Sequence, residues 1–203
     1  YYSSSRSTQL KTKQWLESFT SVDQVAYLLQ SDAAISQQND HFLDFSGDQY
    51  TCDQIVFTNT AEEFMNIFPQ KFLMGSAETF SRNFQQAVFT ETTAERIFGE
   101  NWSAQNLVGT TFNMETERLE ESEYQLAGVV ADPPPNSHFT FNMLMHTKRI
   151  PSWGAYTYFT THESSDREAL QAELNDRYAE IEPEYGQDER YKGAVLQSLT
   201  DIH

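Results

Sequence analysis

Apolar residues come in short runs along this chain, and their spacing predicts an alternation of helices and strands. Leu10, Trp15, Leu16 and Phe19 follow a polar stretch from Ser3 to Ser7. They predict a helix from about Thr8 to Phe19 with Ser7 as its N-cap. Val22 to Leu29 is rich in strand formers and reads as a strand. From Gln30 to Tyr50 the pattern fades, with Phe42, Leu43 and Phe45 scattered among Asp, Gln, Asn and Ser. Cys52 to Thr58 is a second strand, with Ile55 and Phe57 on one face and Val56 on the other. Thr60-Ala61-Glu62-Glu63 matches a capping box, in which the Thr hydroxyl accepts from an amide three residues on and Glu63 reaches back. It opens a helix with Phe64, Ile67 and Phe68 on one side, ended by Pro69.

Ala87 to Thr90 is a short strand. Thr90 is placed to cap a helix from Glu91 to Phe98, with Ala94, Ile97 and Phe98 inward and Gly99 as the left-handed terminator. Thr110 to Met114 and Tyr124 to Val130 are strands separated by an acidic run, so they read as a hairpin. Asp132-Pro133-Pro134-Pro135-Asn136-Ser137 is a rigid corner, because three prolines donate no backbone hydrogen bonds. Phe139 to Met145 and Tyr156 to Thr161 read as strands. Ser165-Asp166-Arg167-Glu168 matches a second capping box. The helix after it aligns Leu170, Leu174, Tyr178 and Ile181 in one stripe and stops at Pro183. Tyr185 to Lys192 is a polar loop, and Val195 to Ile202 a last strand.

Composition narrows what such a body does. With 203 residues the chain buries a core without staples, and a single Cys excludes a disulfide framework or a Cys-rich zinc site. The net charge of −17 argues against nucleic acid, which needs a basic face, and against a polybasic membrane patch. No run approaches the 18 apolar residues or more of a membrane span, and Tyr1 to Arg6 lacks a signal-peptide core. Without an initiator Met the sequence reads as an excised piece or a mature fragment.

Candidate chemistry is sparse. Glu115, Glu117, Glu120, Glu121 and Glu123 have neither the spacing nor the central Gly of a calcium loop, and a solvated hairpin tip is the commoner fate of such a run. His41, His138, His146, His162 and His203 form no metal-ligand pair; His138 and His146 would lie roughly 27 Å apart on an extended strand. His162-Glu163 is an acid–base pair in sequence only. Cys52 lacks an activating His by position and reads as a small buried hydrophobe. There is no phosphate-binding Gly loop and no nucleophile elbow. No catalytic, cofactor-binding or metal residue is assigned, and the expectation is a non-enzymatic protein without cofactor.

Three further blocks are read together. They are Val88 to Gly99 followed by Val108-Gly-Thr-Thr111, Tyr124 to Phe141 through the proline corner, and Leu196 to His203. With Asn66 to Gly75 they keep their order from about residue 55 to 203. They resemble the MacB-type periplasmic core domain of FtsX-like ABC transporter permeases, in its Bacteroidetes-type version. The resemblance implies an α+β, two-lobed mixed α/β ectodomain. One membrane-proximal, porter-like lobe would come from both chain ends, 1–58 and 137–203. A sabre-like lobe, 59–136, would be inserted between them.

Further implications concern place and partners. The domain would sit on the periplasmic side of the bacterial inner membrane, between two membrane helices. That predicts about 20 apolar residues before Tyr1 and after His203 in the full protein. ATP would be hydrolysed by a separate ABC ATPase subunit or domain that this piece does not touch. The permeases would pair as a homodimer or heterodimer, with a periplasmic adaptor or lipoprotein as a further partner. Closure on ATP would be transmitted mechanically to a periplasmic substrate or partner. Two rivals remain at this point: a membrane-anchored ligand-binding or sensor domain, and a secreted hydrolase using two carboxylates.

Overall fold

A computed structural model describes residues 2–3, 6–32, 41–115, 123–135, 137, 139–148, 155–183, 187 and 193–199. The strands are β1 (Tyr2–Ser3), β2 (Val22–Asp32), β3 (His41–Phe45), β4 (Asp48–Cys52), β5 (Gln54–Thr58), β6 (Phe72–Gly75), β7 (Gln86–Thr90), β8 (Thr111–Glu115), β9 (Glu123–Val130), β10 (Met143–His146) and β11 (Ala155–Thr161). The helices are α1 (Arg6–Glu17), α2 (Ala61–Ile67), α3 (Ala77–Arg82), α4 (Glu91–Phe98) and α5 (Arg167–Asp176). Short 3-10 turns follow at Trp102–Ala104 and Tyr178–Glu180.

The strands form one mixed sheet in the order β1-β11-β2-β5-β10-β7-β9-β8-β3-β4, with β6 also paired to β9. β5·β10 and β7·β9 are parallel and the remaining pairs antiparallel. The fold is α+β, as expected.

Both faces of the sheet's centre are covered, which is why β5, β7 and β10 are near-continuous apolar runs rather than alternating ones. Ile55, Phe57, Ala87, Phe89, Met143 and Met145 face one cluster, under α4. Val56, Val88 and Leu144 face a second, under α2 and α3. A third cluster joins Trp15, Leu16 and Phe19 to Val22, Val25, Leu170, Leu174 and Tyr178. The stripe expected on α5 is therefore buried as a unit, although the regular helix ends at Asp176 and Tyr178 sits in the following 3-10 turn.

Glycine is required at two positions where β6 crosses close to β9. A Cβ on Gly75, whose φ is +76°, would lie 2.1 Å from the Ala127 carbonyl oxygen. One on Gly128 would lie 2.5 Å from the Met74 oxygen, with the Phe72 ring at 3.1 Å.

Several expectations are corrected. α1 starts at Arg6, so Ser7 lies inside the helix rather than at its cap. β2 runs three residues past Leu29. The illegible stretch holds the β3–β4 hairpin, turned by Ser46 (φ 57°) and Gly47 (φ 105°). The Asp44 carboxylate accepts from the Gly47 amide at 2.7 Å. The strand expected over Cys52 to Thr58 is split at Asp53 between β4 and β5.

The strand expected over Phe139 to Met145 is only Met143–His146. Phe139 and Phe141 join the cluster of Leu144, whereas Met143 and Met145 face the other cluster. One regular strand would put 139, 141, 143 and 145 on the same face, so the chain must turn over between 141 and 143.

The capping boxes also differ. At α5 the cap is Asp166, whose carboxylate accepts from the amides of Glu168 (2.9 Å) and Ala169 (3.2 Å). The Ser165 hydroxyl instead donates to the Ser21 carbonyl. Residues 195–199 of the expected last strand form no strand. Side chains of α5 satisfy the chain there. The Leu196 amide donates to Gln171 Oε1 at 2.7 Å, Arg167 donates to the Leu196 carbonyl, and the Ala194 amide donates to Asn175. A strand partner is not needed when a helix face supplies the donors and acceptors. Most of the expected loop 185–192, and residues 200–202, lie outside the described residues.

α4 and the β8–β9 hairpin are as expected. Thr90 accepts from the Thr93 amide, and Gly99 ends α4 at φ 82°. Asn113 pairs with Glu123.

Candidate functional site

The best-defined polar constellation lies where β2 passes its pairing from one neighbour to another. Val22 to Leu28 pair with β11, and Leu29 to Asp32 pair with β5. On the edge facing β5, beyond the last β5 pair, the backbone of Tyr27 is held by two threonine side chains. The Thr58 hydroxyl donates to the Tyr27 carbonyl at 2.7 Å, and the Tyr27 amide donates to Thr60 Oγ1 at 2.9 Å. The Thr60 amide in turn donates to Thr58 Oγ1 at 3.1 Å. Both threonines are buried, so these bonds sit in a low dielectric where an unmade bond is costly.

Lys13 of α1 reaches over this node. Its ammonium is 2.7 Å from Glu17 on its own helix and 3.0 Å from Glu63 on α2. Burial works against the charge, but hydrogen bonds to both carboxylates and their charges outweigh it, and the pKa of Lys13 is raised. Beside it, Phe68 of α2 meets Tyr158 of β11 edge-on at 5.0 Å between centroids. Three kinds of contact therefore tie α2 to the unit of α1, β2 and β11: a backbone–hydroxyl node, an ion pair and an aromatic edge. A separate anchor holds the end of α1 to the end of α5. Arg177 lies 4.2 Å from the centroid of the Phe19 ring, donates to Ser18 and pairs with Glu180 at 3.0 Å.

Among the described residues, those singled out in the sequence are not gathered into one site, although His41 and Cys52 are cross-strand neighbours. Glu115 ends β8 and Glu123 begins β9, and the residues between them lie outside the described part. His138 and His203 lie outside it too, and of His41 only the backbone pairing with Cys52 is described. His146 is buried, with Nδ1 3.1 Å from the Phe80 carbonyl oxygen and its ring 4.7 Å from that of Phe84. Burial lowers its pKa, and the Phe80 and Asn83 carbonyls only partly offset that. His162 is exposed, and its neighbour is Asp23 at 3.9 Å.

Cys52 is buried and its thiol is pushed up to about 12 by desolvation, so it stays protonated and weakly nucleophilic. Among the described residues no three His, Cys, Asp or Glu side chains are grouped to hold a metal. None of the described helices is long and apolar enough to cross a membrane. Lys13, Thr58 and Tyr27 had no place among the sequence candidates; the only signal was the Thr60–Glu63 box, which reads locally as a helix start.

A two-sided α+β sheet domain with helices clamped at a seam thus defines the class, and its relatives define the family. The profile of the MacB-like periplasmic core domain matches residues 3–177. The chain belongs to that family: it is a MacB-like periplasmic core domain.

Two solved structures share the fold. The periplasmic region of MacB from Actinobacillus actinomycetemcomitans aligns with a TM-score of 0.59 at 12% identity, over 86% of this chain and 74% of that one. The extracellular domain of the noncanonic ABC-type transporter YknZ from Gram-positive bacteria aligns with a TM-score of 0.59 at 10% identity, over 96% and 97%. No curated protein matches the chain in sequence.

Proposed function

We propose that this domain is a non-catalytic coupling element. It receives ATP-driven motion from the membrane part of the permease and delivers it to a periplasmic substrate, adaptor or lipoprotein. The observation that carries the reading is family membership across residues 3–177. In this reading a separate ABC ATPase supplies the motion, and two permeases bring their core domains together as a dimer.

A division into a lobe of both chain ends and an inserted lobe belongs to the same proposal. The separate apolar cluster of α1, β2 and α5 supports such a division. So does the change of partner along β2 at Leu28–Leu29. A coupling domain needs contacts that differ between two states, and the tie between α1 and α2 is where relative motion would be felt.

The test uses the full permease with its ATPase in lipid nanodiscs, with spin labels at Gln14 on α1 and Glu95 on α4 of one protomer. The expected result is a change in the interlabel distance distribution between the nucleotide-free and the ATP-trapped transporter. Identical distributions in both states, with ATP hydrolysis intact, would overturn the reading.

A further inference from the structure

α2 begins unlike the other capped helices. Ser76, Thr90 and Asp166 sit at the starts of α3, α4 and α5 with extended backbones, ψ 160°, 161° and 114°, and each accepts from amides of its own helix. Thr60 has φ −129° and ψ 59°, and its side chain caps nothing in α2. Yet Thr60-Ala61-Glu62-Glu63 carries the full box sequence. Both of its side chains are engaged elsewhere. Thr60 Oγ1 accepts from the Tyr27 amide and Glu63 pairs with Lys13.

We propose that Thr60 and Glu63 form a latch with two positions. In the docked position, seen here, they hold α2 to β2 and α1. In the released position the box closes on its own helix: Thr60 Oγ1 accepts from the Glu63 amide, and the Glu63 carboxylate accepts from the Thr60 amide. The backbone at Thr60 turns to the extended form its three counterparts already have.

The exchange leaves few groups stranded, which is what a reversible device requires. The Thr60 amide passes from Thr58 Oγ1 to Glu63. Lys13 keeps Glu17, so its charge stays paired when Glu63 leaves. The Thr58 hydroxyl keeps the Tyr27 carbonyl. The Tyr27 amide gives up its partner and the Thr60 hydroxyl gives up Thr58 Oγ1 at 3.3 Å, while the Glu63 amide, one of the helix's unsatisfied first-turn donors, gains one. The two states thus differ in named contacts, as a population shift demands. The latch rests on the coupling reading for its purpose, though not for its existence.

The test is residue-resolved amide exchange by NMR on this 203-residue chain, wild type against Lys13→Gln and Glu63→Gln. Either variant removes the ion pair, and Gln at position 63 still completes a capping box. The expected result is exchange at the Tyr27 amide faster by about two- to fivefold, the size of a partly exposed ion pair. The amides of Thr60 and Glu63 should slow at the same time. Adding about 0.5 M NaCl should move the wild type in the same direction.

Unchanged protection at Tyr27 in both variants would overturn the latch. So would loss of protection at Tyr27, Thr60 and Glu63 together, which is ordinary destabilisation. Because the readout needs neither membrane nor nucleotide, the latch and the coupling reading can fail separately.

Discussion

α4 begins Thr90-Glu91-Thr92-Thr93 and α2 begins Thr60-Ala61-Glu62-Glu63. On α4 the threonine hydroxyl turns inward to its own helix, accepting from the Thr93 amide, and Asp132 adds a second acceptor for the Thr92 amide at 3.1 Å. That carboxylate also favours the positive end of the helix dipole, and it pins the proline corner to α4. On α2 the same kind of threonine turns outward, to the backbone of Tyr27, and the acidic residue three positions on turns to Lys13. A cap is thus a local option that a neighbouring element can displace. β2 presents its Tyr27 amide and carbonyl at the point where β5 has ended, and a buried amide without a partner costs more than an unmade helix cap at a wetter site.

The comparison can be broken first at Thr58. Thr58→Val should remove the bond to the Tyr27 carbonyl and the acceptor for the Thr60 amide together, destabilising by about 3 kcal/mol; urea denaturation with matched slopes checks this. Thr60→Ala comes next, at about 2 kcal/mol. Its signature is lost protection at the Tyr27 amide in hydrogen exchange, rather than fraying confined to α2. Thr90→Ala should cost about 1 kcal/mol, the usual price of a lost cap, with faster exchange confined to the first turn of α4. Removing the exposed helper by Asp132→Ala should cost about 0.5 kcal/mol and be read as a small drop in midpoint temperature.

A pH effect at the other end of a neighbouring helix is confined to a narrow window. His146 sits at the C-terminal end of α3, and its folded pKa lies below the ordinary 6.5. The unfolded chain therefore binds more protons between the two values. Stability contributed by the neutral ring is full above about 6.5, and is lost as pH falls toward the folded pKa. Thermal midpoints measured from about pH 7.5 down to about pH 5 should fall more steeply in the wild type than in His146→Asn; parallel curves would count against it.

The legible parts of the fold were those whose pattern is set by burial on both sides. β5, β7, β9 and β10 announce themselves because each holds an unbroken run of apolar residues, and α4 because Thr90 and Gly99 bracket it. The β3–β4 hairpin was hidden because its exposed edge strand carries Asp48, Gln49 and Thr51. Residues 139–141 misled because alternating Phe and Thr imitate a strand, while the Phe139 ring packs on Phe64 of α2 and Phe141 joins the same cluster. At 195–199 a segment read as a strand met a helix face instead. The seam around Lys13 and Tyr27 left almost no trace in sequence, because the contacts that cross it join positions 31 to 90 apart.

Local pattern alone carries the class of fold, its central strands, the starts of α4 and α5 to within a residue, and, through ordered blocks spread along the chain, the family. These follow from periodicity and local hydrogen bonding, which act over a few residues. Three-dimensional packing sets where the box at Thr60 directs its two side chains, which strand takes which partner, and that Ala194 and Leu196 are held by α5. Those choices turn on which buried donor lies nearest an acceptor once the sheet has closed, and that proximity is a property of the folded chain.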